Sequence, residues 1–235
     1  MKRLFSFMYL FLFLFIASSC SESQTSDGPK ALDKEAQAAI SPAKALALLK
    51  EGNTRFVQGE MIERDLASQV AQTADGQYPH AVVLGCIDSR VPPELVFDQG
   101  IGDIFTPRIA GNFVNQDILG SMEFATKVAG SKLIVVLGHT SCGAVKGACD
   151  HVELGNLTHT LANLTQAMDA VEEVIGERNS SNAEFVSDVA HANVRLTVEN
   201  ILDRSPVMKE LVDSGDLMVV GAMHDVETGL VTFMD

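Results

Sequence analysis

Apolar residues follow different rhythms in different parts of the chain. From Pro42 to Gln58, Ala45, Leu46, Leu48, Leu49 and Phe56 fall at helical spacing and predict an amphipathic helix with one face on a core. Residues 81–84, 133–137 and 217–221 are instead short runs without polar side chains. Such runs predict strands covered on both faces, as in a parallel sheet flanked by helices, whereas a half-exposed strand would alternate. Helical segments are predicted at 118–128, 144–153, 159–175 and 183–202. Strands and helices therefore alternate along the chain, which implies crossover connections. The tail from Leu217 to Met234 carries Glu227-Thr228-Gly229 between two apolar runs and predicts a hairpin. The fold class read from this pattern is α/β, with a central, mostly parallel β-sheet flanked by helices and an antiparallel edge strand near the C-terminus.

One apolar run belongs to none of these. Lys2 and Arg3 precede the stretch from Leu4 to Ile16, and Ala17-Ser18-Ser19 follow it, directly before Cys20. The 13-residue run is short of the roughly 20 residues a membrane span needs, so residues 1–19 read as an export signal peptide. Small residues before a cysteine resemble the lipobox of bacterial lipoproteins, which makes Cys20 the expected lipidation site. Ala17 stands where that motif usually has Leu, and ordinary cleavage near Ser19 is the alternative. Either way the protein is expected to be exported, with periplasmic location and a membrane anchor if Cys20 is lipidated. Residues 20–41 read as a polar tether and 42–235 as the folded domain.

At 235 residues and 46% hydrophobic, the chain suits one substantial domain, and no repeat is visible. The formal charge is −14; without Lys2 and Arg3, 15 basic residues face 31 acidic ones, for −16. That surface repels nucleic acid and anionic lipid, so no nucleic-acid partner is expected and membrane contact is expected only through the lipid anchor. Small neutral substrates are unaffected. Four cysteines in an exported protein would ordinarily suggest disulfides. Here Cys20 belongs to the leader boundary, two others lie in metal-ligand motifs, and Cys149 reads as a small buried residue on a helix.

Cys86-Ile87-Asp88-Ser89-Arg90 follows the first predicted strand, and His139-Thr140-Ser141-Cys142-Gly143 follows the second. Ligands bind at the carboxyl ends of strands in open α/β sheets. With 52 residues between them, Cys86 and His139 can meet only if their strands are neighbours. Two thiolates and an imidazole suit zinc, and three protein ligands leave a fourth position open, which marks a catalytic rather than a closed site. Arg90 beside Asp88 would keep the carboxylate ionised and oriented. The plainer alternatives are a closed zinc site or a disulfide for the three ligands, and an ion pair bracing the turn for Asp88 and Arg90. His80, His151, His159, His191 and His224 read as surface or satisfied core residues. Phe105, Phe113 and Phe124 read as core, with Phe113 a candidate for lining an apolar substrate pocket.

C-x-D-S-R followed by H-x-x-C-G at this distance resembles the β-class carbonic anhydrases. The resemblance extends over roughly residues 42–234, with Val91-Pro92-Pro93-Glu94, Gly102-Asp103-Ile104-Phe105, Arg108 and Ala110-Gly111-Asn112 matching around the motifs. It implies reversible hydration of carbon dioxide to bicarbonate and a proton by a zinc-bound hydroxide. One Zn2+ per chain would sit on Cys86, His139 and Cys142. Asp88 would accept a hydrogen bond from the nucleophile, Arg90 would orient Asp88, and backbone amides near Gly143 would meet the oxygen that gains charge. The family also implies a homodimer or higher homo-oligomer with the site at the subunit boundary, contacted by Arg108, Asn112 and the helix from Pro42. Regulated members hold bicarbonate away from the metal with Trp, Arg and Tyr; this chain has no Trp and only Tyr9 and Tyr78, so that pocket is absent in its usual form. The alternatives are hydrolysis of carbon disulfide or carbonyl sulfide on the same site, or a lipoprotein that binds zinc or bicarbonate without turnover. An intact Asp88 and Arg90 argue against the last.

Overall fold

A computed structural model describes residues 28–234; the leader and Cys20 lie outside the described residues. Helix α1 (Lys34–Ala38) begins where the Asp33 carboxylate accepts the Ala36 amide at 2.8 Å. Helix α2 (Pro42–Gln58) forms as its pattern predicts, with the Ser41 hydroxyl accepting the Lys44 amide at 3.2 Å and proline at the first helical position, where its missing N–H costs nothing. Helix α3 (Leu66–Gln72) leads into strand β1 (Ala81–Gly85), and the short helix α4 (Pro93–Val96) follows it. Within α2, a Cβ on Gly52 would lie 1.8 Å from the Phe97 carbonyl oxygen, so α2 approaches the end of α4 as only glycine allows.

Strand β2 (Ile104–Phe105) is followed by helix α5 (Gln116–Glu123), which continues as a π-helical turn over Phe124–Val128. Strand β3 (Leu133–His139) and helix α6 (Gly143–Cys149) come next. The helix predicted at 159–175 is instead two short ones, α7 (Gly155–Ala162) and α8 (Thr165–Asp169). Between them the Asn163 side chain donates to the carbonyls of His159 and Thr160, taking acceptors that a continuous helix would use. Beyond α8 the Arg178 guanidinium takes the carbonyls of Met168 and Val171, so the chain leaves the helix there. Helix α9 (Ala183–Arg204) and helix α10 (Pro206–Asp213) precede strand β4 (Met218–His224) and strand β5 (Val231–Phe233).

The sheet runs β2-β1-β3-β4-β5; its strands are parallel except for the last pair, and that mostly parallel arrangement is what the hydrophobic pattern predicts. Its central strands are covered twice. Val82, Leu84, Ile134 and Val136 face a core completed by α9, while Ala81, Val83, Leu133, Val135 and Leu137 face one completed by α2 and α4. Alternate residues of one strand thus enter opposite cores, which is why those runs contain no polar break. Each fully buried Val or Leu there stabilises the fold by about 1.5–3 kcal/mol relative to exposure. Among the described residues, no helix is long and apolar enough to cross a membrane.

Candidate metal centre

Pairing of β1 with β3 places Gly85 opposite Leu137, so the residues that leave these strands, Cys86 and His139, emerge side by side. Ser141 then takes φ 55°, a left-handed turn that brings Cys142 back toward the same point as the residue preceding α6. The ligand atoms of Cys86, His139 and Cys142 all lie within 4.8 Å of one another, and all three residues are buried. The two sulfurs are 3.9 Å apart. A disulfide holds its sulfurs about 2.05 Å apart, whereas two zinc–sulfur bonds of about 2.3 Å at a tetrahedral angle place them about 3.8 Å apart. Cys86, Cys142 and Cys149 are free thiols, and Cys149 is buried in α6 as expected.

His139 is oriented by its own turn. Its Nδ1 lies 2.9 Å from the Thr140 carbonyl oxygen and donates to it, which leaves the Nε2 lone pair directed at the thiols. That Nε2 is buried without a hydrogen-bond partner, as a cation ligand would be before loading. The thiols share their acidity unequally. Cys86 is pulled down, first by its contact with Cys142 and further by the Gly111 amide at 3.4 Å, while Cys142 is pushed up by the same contact and by burial. The metal-free pair therefore keeps one proton, which a divalent cation would displace. The first-turn amides of Ala144 and Val145 favour the Cys142 thiolate. Two soft sulfurs and one imidazole, with an orphaned nitrogen and zinc-like spacing, fit zinc.

Asp88 lies beside this cluster, its Oδ2 3.9 Å from His139 Nε2. Arg90 holds it three ways: Nε to Oδ1 at 2.9 Å, Nη2 to Oδ2 at 2.8 Å and the backbone amide to Oδ1 at 3.0 Å. The guanidinium keeps the Asp88 carboxyl well below the usual carboxylate range. Gly143 opens α6 next to Cys142, with nothing within 4 Å of where a Cβ would stand, so the space there is open. Phe113 is buried in the apolar cluster that also holds Cys86 and Cys142, and it lines a cavity of about 270 Å³ with Asn193 and Thr197.

Two residues that match around the motifs have roles that the pattern does not disclose. Arg108 donates to the Cys86 carbonyl at 2.8 Å and to the Asp88 carbonyl at 2.6 Å, clamping the loop that carries both side chains. Gly111 reaches Cys86 because it adopts φ 87°, and Asn193 of α9 secures its carbonyl at 2.8 Å. His224 corrects an expectation. It is buried opposite His139 in the sheet, but among the described residues neither ring nitrogen has a hydrogen-bond partner, in contrast to a satisfied core residue. His80 keeps one bond, Nε2 to Gln99 Oε1 at 3.0 Å, and leaves Nδ1 unpartnered.

The family profile described as carbonic anhydrase matches residues 81–231. Carbonic anhydrase 2 of Mycobacterium tuberculosis is 37% identical over 195 residues, covering 83% of this chain and 93% of the relative. The β-carbonic anhydrase CafA of Aspergillus fumigatus superposes with a TM-score of 0.62 at 28% identity, over 82% of this chain and 90% of its own. One of two tetrameric β-carbonic anhydrases from Sordaria macrospora gives 0.60 at 25% identity, over 72% and 90%.

Proposed function

This chain belongs to the carbonic anhydrase family, in its β class, and from that premise we propose that it hydrates carbon dioxide to bicarbonate and a proton, reversibly, with one zinc ion held by Cys86, His139 and Cys142. The observation that carries the reading is the convergence of those three ligand atoms within 4.8 Å, beside a carboxylate fixed by arginine. Bound zinc would supply the Lewis acidity that brings the ionisation of water close to neutral pH.

The chain's own residues supply the aim. Asp88, kept ionised by Arg90, can only accept, so an O–H beside the ligand atoms donates to Oδ2 and turns its lone pair toward the incoming gas. Arg90 prevents the carboxylate from rotating, and Arg108 fixes the backbone beneath it. Gly143 leaves room above Cys142, and Phe113 shares an apolar cluster with Cys86 and Cys142; we assign both to the substrate side.

Metal analysis with X-ray absorption should find one zinc per chain, bound by two sulfurs and one nitrogen. Stopped-flow hydration should vanish with a chelator and return with zinc. A zinc-loaded protein without turnover would replace the proposal with a binding module, and turnover of carbon disulfide alone would replace it with a hydrolase.

We also propose that the chain self-associates and that it is exported and held by a lipid on Cys20. A groove lined by Phe105, Leu119 and Phe124 beside the edge strand β2, with Phe124 50% exposed, supports the first reading. Sedimentation should give a dimer or larger, and a monomer at micromolar concentration would reject it. The leader pattern and Cys20 support the second.

A further inference from the structure

The described chain begins against α3. Gly28 lies beside residues 63–65, where an added Cβ would come within 3.0 Å of the Glu63 carbonyl oxygen. Gln69 Nε2 then donates to the Pro29 carbonyl at 3.0 Å, and the Ala31 amide donates to Gln72 Oε1 at 2.9 Å. One side of α3 thus holds the incoming chain. Leu66 and Val70, four residues apart and so on one face, are 54% and 56% exposed. Met61 and Ile62, in the loop before α3, and Ile101, whose amide donates to Gln69 Oε1, add further exposed apolar surface. The helix, Leu-Ala-Ser-Gln-Val-Ala-Gln, carries no charge.

We propose that this face of α3 rests on the headgroup region of a zwitterionic bilayer, held there by the lipid on Cys20. The inference rests on the lipid-anchored reading above. Seven residues lie between Cys20 and Gly28, and a fully extended chain across them spans less than about 30 Å. A globule of this size is about 40 Å across, so the short tether keeps the α3 side toward the membrane and the far side beyond reach. Charge selects the lipid: a chain at −16 without its leader, with Glu63 and Asp65 exposed at the rim, is repelled by anionic headgroups. Size argues against a second copy, because five partly exposed side chains fall well short of the roughly 20–30 residues per side of a stable interface. A weak apolar face suffices once the anchor makes its contact with lipid intramolecular.

Orientation follows. The Gly100–Asp103 turn packs against α3 through Gln69 and Thr73 and leads into β2 at the amino ends of the strands, whereas the candidate metal ligands leave the carboxyl ends. The metal centre is turned away from the lipid.

The chain contains no tryptophan, so a single introduced one is a clean reporter. Val70→Trp and, as a control at the β4–β5 turn, Glu227→Trp are made in the full-length protein, which is purified from membranes and reconstituted in phosphatidylcholine vesicles with and without brominated acyl chains. Brominated lipid should quench the position-70 emission at least about twofold and leave position 227 unchanged. Intact mass reports acylation of Cys20 separately. An acylated protein with equal quenching at both positions overturns the face assignment while the anchor stands. A blue shift at position 70 that follows protein concentration and ignores bromine assigns the face to a second copy and also overturns it. An unacylated Cys20 removes the tether and ends both readings.

Discussion

Arg90 gives Asp88 three hydrogen bonds, two of them from a planar guanidinium that matches both carboxylate oxygens. Arg90→Ala should therefore leave zinc content within about twofold while lowering kcat for hydration about 10–100-fold, the range seen when an orienting partner is lost. Arg90→Lys should recover little, because an ammonium cannot bridge both oxygens. The thiol pair makes a second prediction. Since the two thiols lie 3.9 Å apart and lean on each other in the metal-free site, with Cys86 the more acidic and Cys142 the less, loading zinc must expel the proton that the pair retains. Apparent zinc affinity should rise about tenfold per pH unit through the neutral range, measured by competition with a chromophoric chelator. The five polar and ligand side chains of the centre are legible in the sequence because each sits in a short local motif. The clamp made by Arg108 and the position of His224 opposite His139 are not, because one reaches back 20 residues to Asp88 and the other lies on a neighbouring strand.

Helix α2 announces itself by its apolar stripe, but the reason for Gly52 within it appears only where α2 meets α4. Gly52→Ala drives a Cβ into the Phe97 carbonyl, a backbone atom with no side-chain freedom to yield. Overpacking of this kind costs about 1–3 kcal/mol or more, so thermal unfolding should fall by about 5–10 °C, read by circular dichroism. The segment 159–175 has helical spacing throughout, yet Asn163 and Arg178 take the backbone carbonyls a single helix would need. Periodicity reports which residues face a core, and it is blind to side chains that compete for the backbone. The two-residue strand β2 is too short to show any period.

At the scale of the whole molecule, one fully buried carboxylate ties the loop before α3 to the end of α4. Asp98, at φ 47°, accepts from Arg55 Nε at 2.5 Å, from Arg64 Nη1 and from the Ile62 amide at 3.2 Å. Burial opposes its ionisation, but the two guanidinium groups and the amide outweigh it and hold the carboxyl below its ordinary value. A depressed folded-state pKa means stability that is present above the unfolded value, near 3.9, and lost as pH falls through the folded one. Asp98→Asn keeps the tolerance for positive φ and removes the charge. It should cost about 3–5 kcal/mol at neutral pH, with the gap in urea midpoint from the parent protein closing below about pH 4.

Residue pattern alone determined that buried parallel strands alternate with helices, that a hairpin closes the chain, and that two sulfurs, an imidazole and an arginine-paired carboxylate are available for one site. Those properties are local: burial shows in the spacing of apolar residues, and ligand chemistry shows in side-chain type. Tertiary structure alone decided that β1 and β3 lie side by side in a register that brings the Cys86 and Cys142 sulfurs to 3.9 Å. It also decided that Arg108 and Asn193 clamp the loops around them. Strand order and clamping depend on contacts between residues tens of positions apart, where packing of the two cores selects among arrangements that the local pattern leaves equal.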